Sequence, residues 1–138
     1  DDFRRIGFFD ERYFFSPEDI AVSTRINKDG GSCYTDSNTC LVHYHGVSSK
    51  KTKLFYATTC ATFLGNYIFY CDNAFKKIVY RSMLYVKYGL MRLINGIHPT
   101  IHRNDYLYIY KKVLCSIASK MSPKEIFLEE FNLVKANK

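Results

Sequence analysis

The sequence predicts an α/β chain: one helix and a pair of short strands in the first third, then a mainly α-helical region. Three observations carry this expectation. Ser16-Pro17-Glu18-Asp19 is a helix-opening signature, and Gly30-Gly31 closes the stretch that follows it. β-prone residues flank a turn at Asp36-Ser37-Asn38. From Leu54 onward the apolar residues recur at helical spacing, interrupted by Gly96, Pro99 and Ser122-Pro123.

Taken in order, Arg5 to Phe15 is aromatic and reads as extended chain or a tight loop. A helix follows from about Ser16 to Asp29, with Ser16 as N-cap, Pro17 at the first helical position and Asp19 two residues on. Ser32–Thr35 and Thr39–Tyr44 are the two strands, and Gly46 to Lys53 is a small, basic loop. Helices are expected over 54–72, 74–94, 100–119 and 123–136, the last opened by a capping box at Ser122-Pro123-Lys124-Glu125. The two regions divide at residues 1–49 and 50–138.

Charge divides at the same place. Residues 1–49 hold five Lys/Arg and eight Asp/Glu, a net −3; residues 50–138 hold fifteen and five, a net +10. The basic, tyrosine-rich part suits an anionic membrane, an acidic partner or nucleic acid. No recognised nucleic-acid motif accompanies it, so nucleic acid is not expected as a partner. The five cysteines are odd in number and form no C-x-x-C, which points to free thiols in a reducing cytosol. No basic, apolar leader is visible in the sequence, and a cytoplasmic location is expected. Leu54 to Cys71 carries no charge, yet its Thr, Asn and Gly residues favour a buried or interfacial helix over a membrane span.

The 74–94 helix is amphipathic. With Lys76 at 0° and about 100° per residue, Lys87 falls near 20°, Lys77 near 100°, Arg81 near 140° and Arg92 near 160°. Ile78, Val79, Met83, Leu90 and Leu93 lie largely opposite. Two placements satisfy this pattern: the basic face in water over a buried apolar face, or a helix lying on an anionic membrane.

The stretch Gly7 to Ser49 resembles a known family. Phe9-Asp10-Glu11, the acidic pair Glu18-Asp19 and the run His43-Tyr44-His45-Gly46-Val47-Ser48-Ser49 stand in the order and spacing of the family 2 inverting glycosyltransferases that build bacterial surface polysaccharides. The resemblance implies a partial GT-A domain, an acceptor-side helix plus short strands, ahead of the helical tail. That family's nucleotide-binding half, with its Asp-x-Asp motif, has no counterpart here, so the sequence reads as a fragment inactive alone. A partner chain or oligomer covering the missing half, and a sheet with an exposed edge, are expected with it.

The resemblance also implies roles. Inverting transfer needs a base for the acceptor hydroxyl and a cation for the departing diphosphate. Asp19 is the candidate base and Glu18 its neighbour, although acids in a first helical turn also simply stabilise the helix. The family's Glu-Asp-x-Asp/Glu continues here to Ala21, which leaves a third carboxylate without a counterpart. Arg25, two turns beyond Glu18, can orient that carboxylate or face phosphate. His43 and His45, alternating on one strand face, are candidate ligands for a divalent Mn or Mg ion; packing among aromatics suits them equally. Ser48, Ser49 and Lys50 form a loop suited to phosphate.

Two functions remain from the sequence. One is the acceptor side of a glycosyltransferase moving sugar from a nucleotide-sugar donor to a saccharide or lipid-linked acceptor, peripheral on the inner face of the cytoplasmic membrane. The other is a non-enzymatic basic helical module that binds membrane or a protein partner.

Overall fold

The computed structural model describes residues 2–40, 42 and 52–136, with side chains for 4–40, 42 and 54–132. Its regular elements are α1 (Asp2–Arg5), α2 (Glu18–Lys28), α3 (Thr52–Tyr70), α4 (Ala74–Ile97), α5 (Ile101–Ala118) and α6 (Pro123–Ala136). Among the described residues there is no strand and no sheet, so the α/β expectation and its partial GT-A domain are wrong for this chain. Ser32 to Cys40 is exposed chain without a ladder. The turn between the expected strands does form: the Asn38 amide donates to the Asp36 carboxylate at 2.9 Å. An isolated two-stranded hairpin is marginal in water, and nothing described packs on this one to hold it. His43 and the rest of the second expected strand to Tyr44 lie outside the described residues.

Local signals placed the helix ends well. At α6 the Ser122 amide donates to Glu125 at 2.7 Å and the Glu125 amide donates to the Ser122 hydroxyl at 3.2 Å, the reciprocal capping box. Asn73 and Thr100 cap α4 and α5 in the same way, accepting from the Lys76 and Arg103 amides. At the end of α2, Gly30 takes φ +82° and the Gly31 amide reaches back to the Ile26 carbonyl at 3.0 Å. This is the Schellman closure that Gly30-Gly31 predicted. Lys120 makes the same closure after α5 at φ 58°, a conformation favoured by glycine.

The core lies where α3 meets α5 and α6, with α4 laid mainly on α5. Small residues let α3 sit centrally: Ala57, Cys60 and Ala61 are fully buried beside Leu64. From α5, Ile109, Val113 and Ile117 form the facing stripe, four residues apart. Aromatic rings seal the edges, as in the edge-on contact of Phe63 with Tyr110 at 5.7 Å.

Polar groups lock the helices together. Glu130 of α6, only 2% exposed, accepts from the Tyr108 hydroxyl at 2.9 Å and lies 3.2 Å from the Lys112 ammonium. Burial, then the bond to Glu130, pushes the Tyr108 phenol well above its ordinary range. Tyr56 donates to Asp105 at 2.5 Å, tying α3 to α5, and Tyr80 donates to the Phe63 carbonyl at 3.1 Å, tying α4 to α3. No helix of the described residues is long and apolar enough to cross a membrane.

Helix α4 does not sit as a conventional surface helix does. Leu84 is fully buried, whereas Leu93 is 70% and Ile97 74% exposed. The side toward α5 is the arc between the basic residues, and the broad apolar side faces outward.

Candidate functional site

The candidate site is built on the loop before α2. Gly7 turns the chain at φ 74°, a conformation that suits glycine. Arg25, from the far end of α2, crosses this turn and donates to the Phe8 carbonyl. Arg25 therefore fastens the aromatic loop to the helix, and no hydrogen bond or ion pair joins it to Glu18 among the described residues. Arg5 adds a second clamp, an ion pair with Asp29 at 2.6 Å.

The loop is then pressed onto the helical region. Tyr13 meets Phe69 of α3 edge-on at 5.7 Å, and Phe14 meets Phe127 of α6 at 4.9 Å. Phe15 stacks on the same Phe127 ring at 6.2 Å. Pro17 is buried, and the Ser16 carbonyl rests on Gly65 of α3 so closely that a Cβ there would stand 2.0 Å from it. Gly65 and Phe127 are the site's supports that sequence reasoning missed. A glycine inside an otherwise apolar helix was the available signal for the first, since such a glycine often marks close backbone approach.

This seating changes the helix start. Ser16 is not the N-cap: Pro17 occupies that position, α2 begins at Glu18, and no side chain caps it. With Ser16 drawn toward Gly65, the first turn relies on Glu18 and Asp19 for favourable charge.

The acidic residues fall into distinct states. Asp10 is engaged by Arg12, whose Nε lies 3.0 Å from one carboxylate oxygen and whose terminal nitrogen lies 2.6 Å from the other. That guanidinium holds the Asp10 carboxyl below the usual range. Glu18 is partly buried, and its Oε2 has no hydrogen-bond partner among the described residues. Asp19 is exposed; its carboxylate accepts from the adjacent Ile20 amide at 2.7 Å and has no cationic partner among the described residues. Phe15 and Ile20 place exposed apolar surface beside it in the chain. An open carboxylate of this kind can accept a hydrogen bond from a hydroxyl.

The remaining candidates are not brought into this arrangement. His43, His45, Ser48, Ser49 and Lys50 lie outside the described residues. The described residues contain no group of three or more His, Cys, Asp or Glu side chains able to hold a metal ion. The described residues therefore offer no donor set for the expected Mn or Mg. His98 and His102 serve the fold: the His98 carbonyl accepts from Arg103, and the His102 ring lies 4.9 Å from Tyr106. The buried Cys60 thiol is pushed up to about 12 by desolvation, which makes it a poor nucleophile.

Apart from this loop, a concavity of about 630 Å³ opens where α3, α4 and α5 converge. Its floor is Leu64, Tyr67 and Ile117, and its rim carries Lys77, Arg81 and Lys120. Compared with models of known protein families, with curated proteins and with solved structures, the chain has no match.

Proposed function

We propose that this chain carries the acceptor side of an inverting glycosyltransferase, with Asp19 as the base that takes the acceptor hydroxyl's proton. The observation that carries the reading is the open Asp19 carboxylate in the first turn of α2, directly after the clamped loop. Asp10 is consumed by Arg12 and Glu18 is half-buried, while Asp19 is exposed and has no cationic partner among the described residues. The clamps at Arg25, Gly65 and Phe127 supply the rigidity a catalytic carboxylate needs. The order of Phe9-Asp10-Glu11, Glu18-Asp19 and the His43–Ser49 run supports the same assignment.

In this reading the acceptor hydroxyl donates to Asp19, its oxygen attacks the anomeric carbon, and the bond to the nucleotide diphosphate breaks with inversion. The diphosphate must be gripped by residues other than those described here. Sugar transfer thus needs a nucleotide-binding region in addition to these residues.

The test is direct. In a polypeptide that joins this chain to such a region, Asp19→Asn lowers kcat by about 10²–10⁴-fold and leaves donor binding nearly unchanged. Turnover equal to that of the parent removes Asp19 from the role. Titration of the chain alone with nucleoside diphosphates and manganese is expected to show no micromolar binding; micromolar affinity would mean that these residues hold a donor site of their own.

The outward apolar side of α4 favours a second reading, a non-enzymatic helical module bound to a membrane or a partner. No sugar transfer by the joined polypeptide, with surface binding intact, would select it.

A further inference from the structure

The outward face of α4 is an apolar stripe with cations on both shoulders. With Leu93 as 0° and about 100° per residue, Phe75, Ile78, Val86, Leu90 and Ile97 fall within about 60° of it. Each is more than half exposed, and no described residue covers them. Leu84 stands near 180° and is fully buried, so the stripe points away from the protein. Lys76 and Lys87 fall near +100° and +120°, and Arg92 and Arg81 near −100° and −120°. Lys77, near −160°, turns with Arg81 toward the concavity on the inner side.

Helix α4 contains no acidic residue. Asp72, just before the helix, pairs with Lys76 at 2.8 Å on the exposed surface and offsets little of the charge. Over 24 residues the helix is roughly 36 Å long.

We infer that this face seats the protein on an anionic lipid surface, α4 lying in the plane of the interface. Charge complementarity selects this occupant. The stripe enters the acyl boundary while Lys87 and Arg92 extend along its edges to the headgroup phosphates. A second copy of the chain is a poor occupant: pairing α4 with itself would bring two sets of five cations together with no acid on either helix. The helix does not span, because its buried side is occupied by α5. This inference rests on α4 alone and does not depend on glycosyl transfer.

Flotation of the full chain with mixed phosphatidylglycerol–phosphatidylcholine vesicles tests it, with pure phosphatidylcholine as the comparison. The expected result is binding to the anionic vesicles, weakened by salt and far weaker on the neutral ones. Leu90→Ser with Leu93→Ser should lower partitioning about tenfold for each leucine. Lys87→Gln with Arg92→Gln should lower it about fivefold for each cation. Both double variants should keep the parent's helicity by circular dichroism, because these side chains leave the core untouched.

Failure to bind anionic vesicles overturns the inference. So does binding that survives the serine variant, which would be surface electrostatics without insertion. Loss of helicity in the serine variant would show those leucines to be buried in solution and would overturn it equally. A concentration-dependent dimer abolished by the same variant would assign the face to a second copy instead.

Discussion

Helices α3 and α4 differ in what their sequences reveal. Helix α3 is the more uniformly apolar, and it is enclosed: α4, α5 and α6 all touch it, and Cys60, Ala61 and Leu64 lose essentially all their surface. Helix α4 is the more sharply two-faced, and it rests mainly on α5, with its larger apolar side outward. A helix apolar all round has one solution, burial. A two-faced helix has two, and amphipathicity does not say which face its neighbours take. Here the narrow arc of Tyr80, Leu84, Tyr88 and Met91 is the one packed, because those side chains lie between the basic residues and toward α5.

The largest expected effect breaks the comparison within α4 itself. Leu84→Ala should cost about 2–5 kcal/mol of stability in urea unfolding, since it empties a fully buried site. Leu93→Ala should change stability by no more than about 0.5 kcal/mol. Equal costs would mean that α4 buries both faces in solution. On α3, Gly65→Ala should destabilise by about 1–3 kcal/mol, because its Cβ would collide with the Ser16 carbonyl and the site loop must move. In the joined enzyme this variant should also lower activity through a displaced Asp19. A fully active, equally stable Gly65→Ala variant would dissolve the link between α3 and the site.

A graded effect should appear in alkali. The Tyr56 phenol is pushed up to about 12 chiefly by its bond to Asp105, and that of Tyr80 to about 12 by burial. An unfolded tyrosine titrates near about 10, so the folded state holds these protons more tightly. The stabilisation is complete below about pH 10 and is lost as pH rises toward 12. The urea midpoint should fall across that window, and Tyr80→Phe should flatten the fall. A midpoint constant through the window contradicts the Tyr56–Asp105 bond and the burial of the Tyr80 phenol. The smallest effect is at α6, where Ser122→Ala should cost about 1 kcal/mol by removing half of the capping box. No change there would mean the box is not formed in solution.

The candidate site was legible in part. Asp19 was marked by the acidic pair, and its environment agrees with an accessible carboxylate. Arg25 was marked as well, but its placement on the Phe8 carbonyl was not, because that contact joins residues seventeen apart through a glycine turn. The strands failed for a similar reason. Alternating residue types express a preference for extended chain, and a ladder forms only where a partner and a packed face exist.

By itself the sequence determined the helical course of α2 to α6, the capping box at Ser122 and the Schellman turn at Gly30-Gly31, because these depend on contacts within a few residues, whereas the expected Ser16 cap did not form. Tertiary structure alone decided three other matters: the absence of a sheet among the described residues, the pressing of the Tyr13–Pro17 loop onto Gly65 and Phe127, and the outward turn of the α4 stripe. Each depends on which surfaces meet across long stretches of chain. The hydrophobic effect rewards burial of apolar area without direction, and the shapes of the neighbouring helices choose which area is buried.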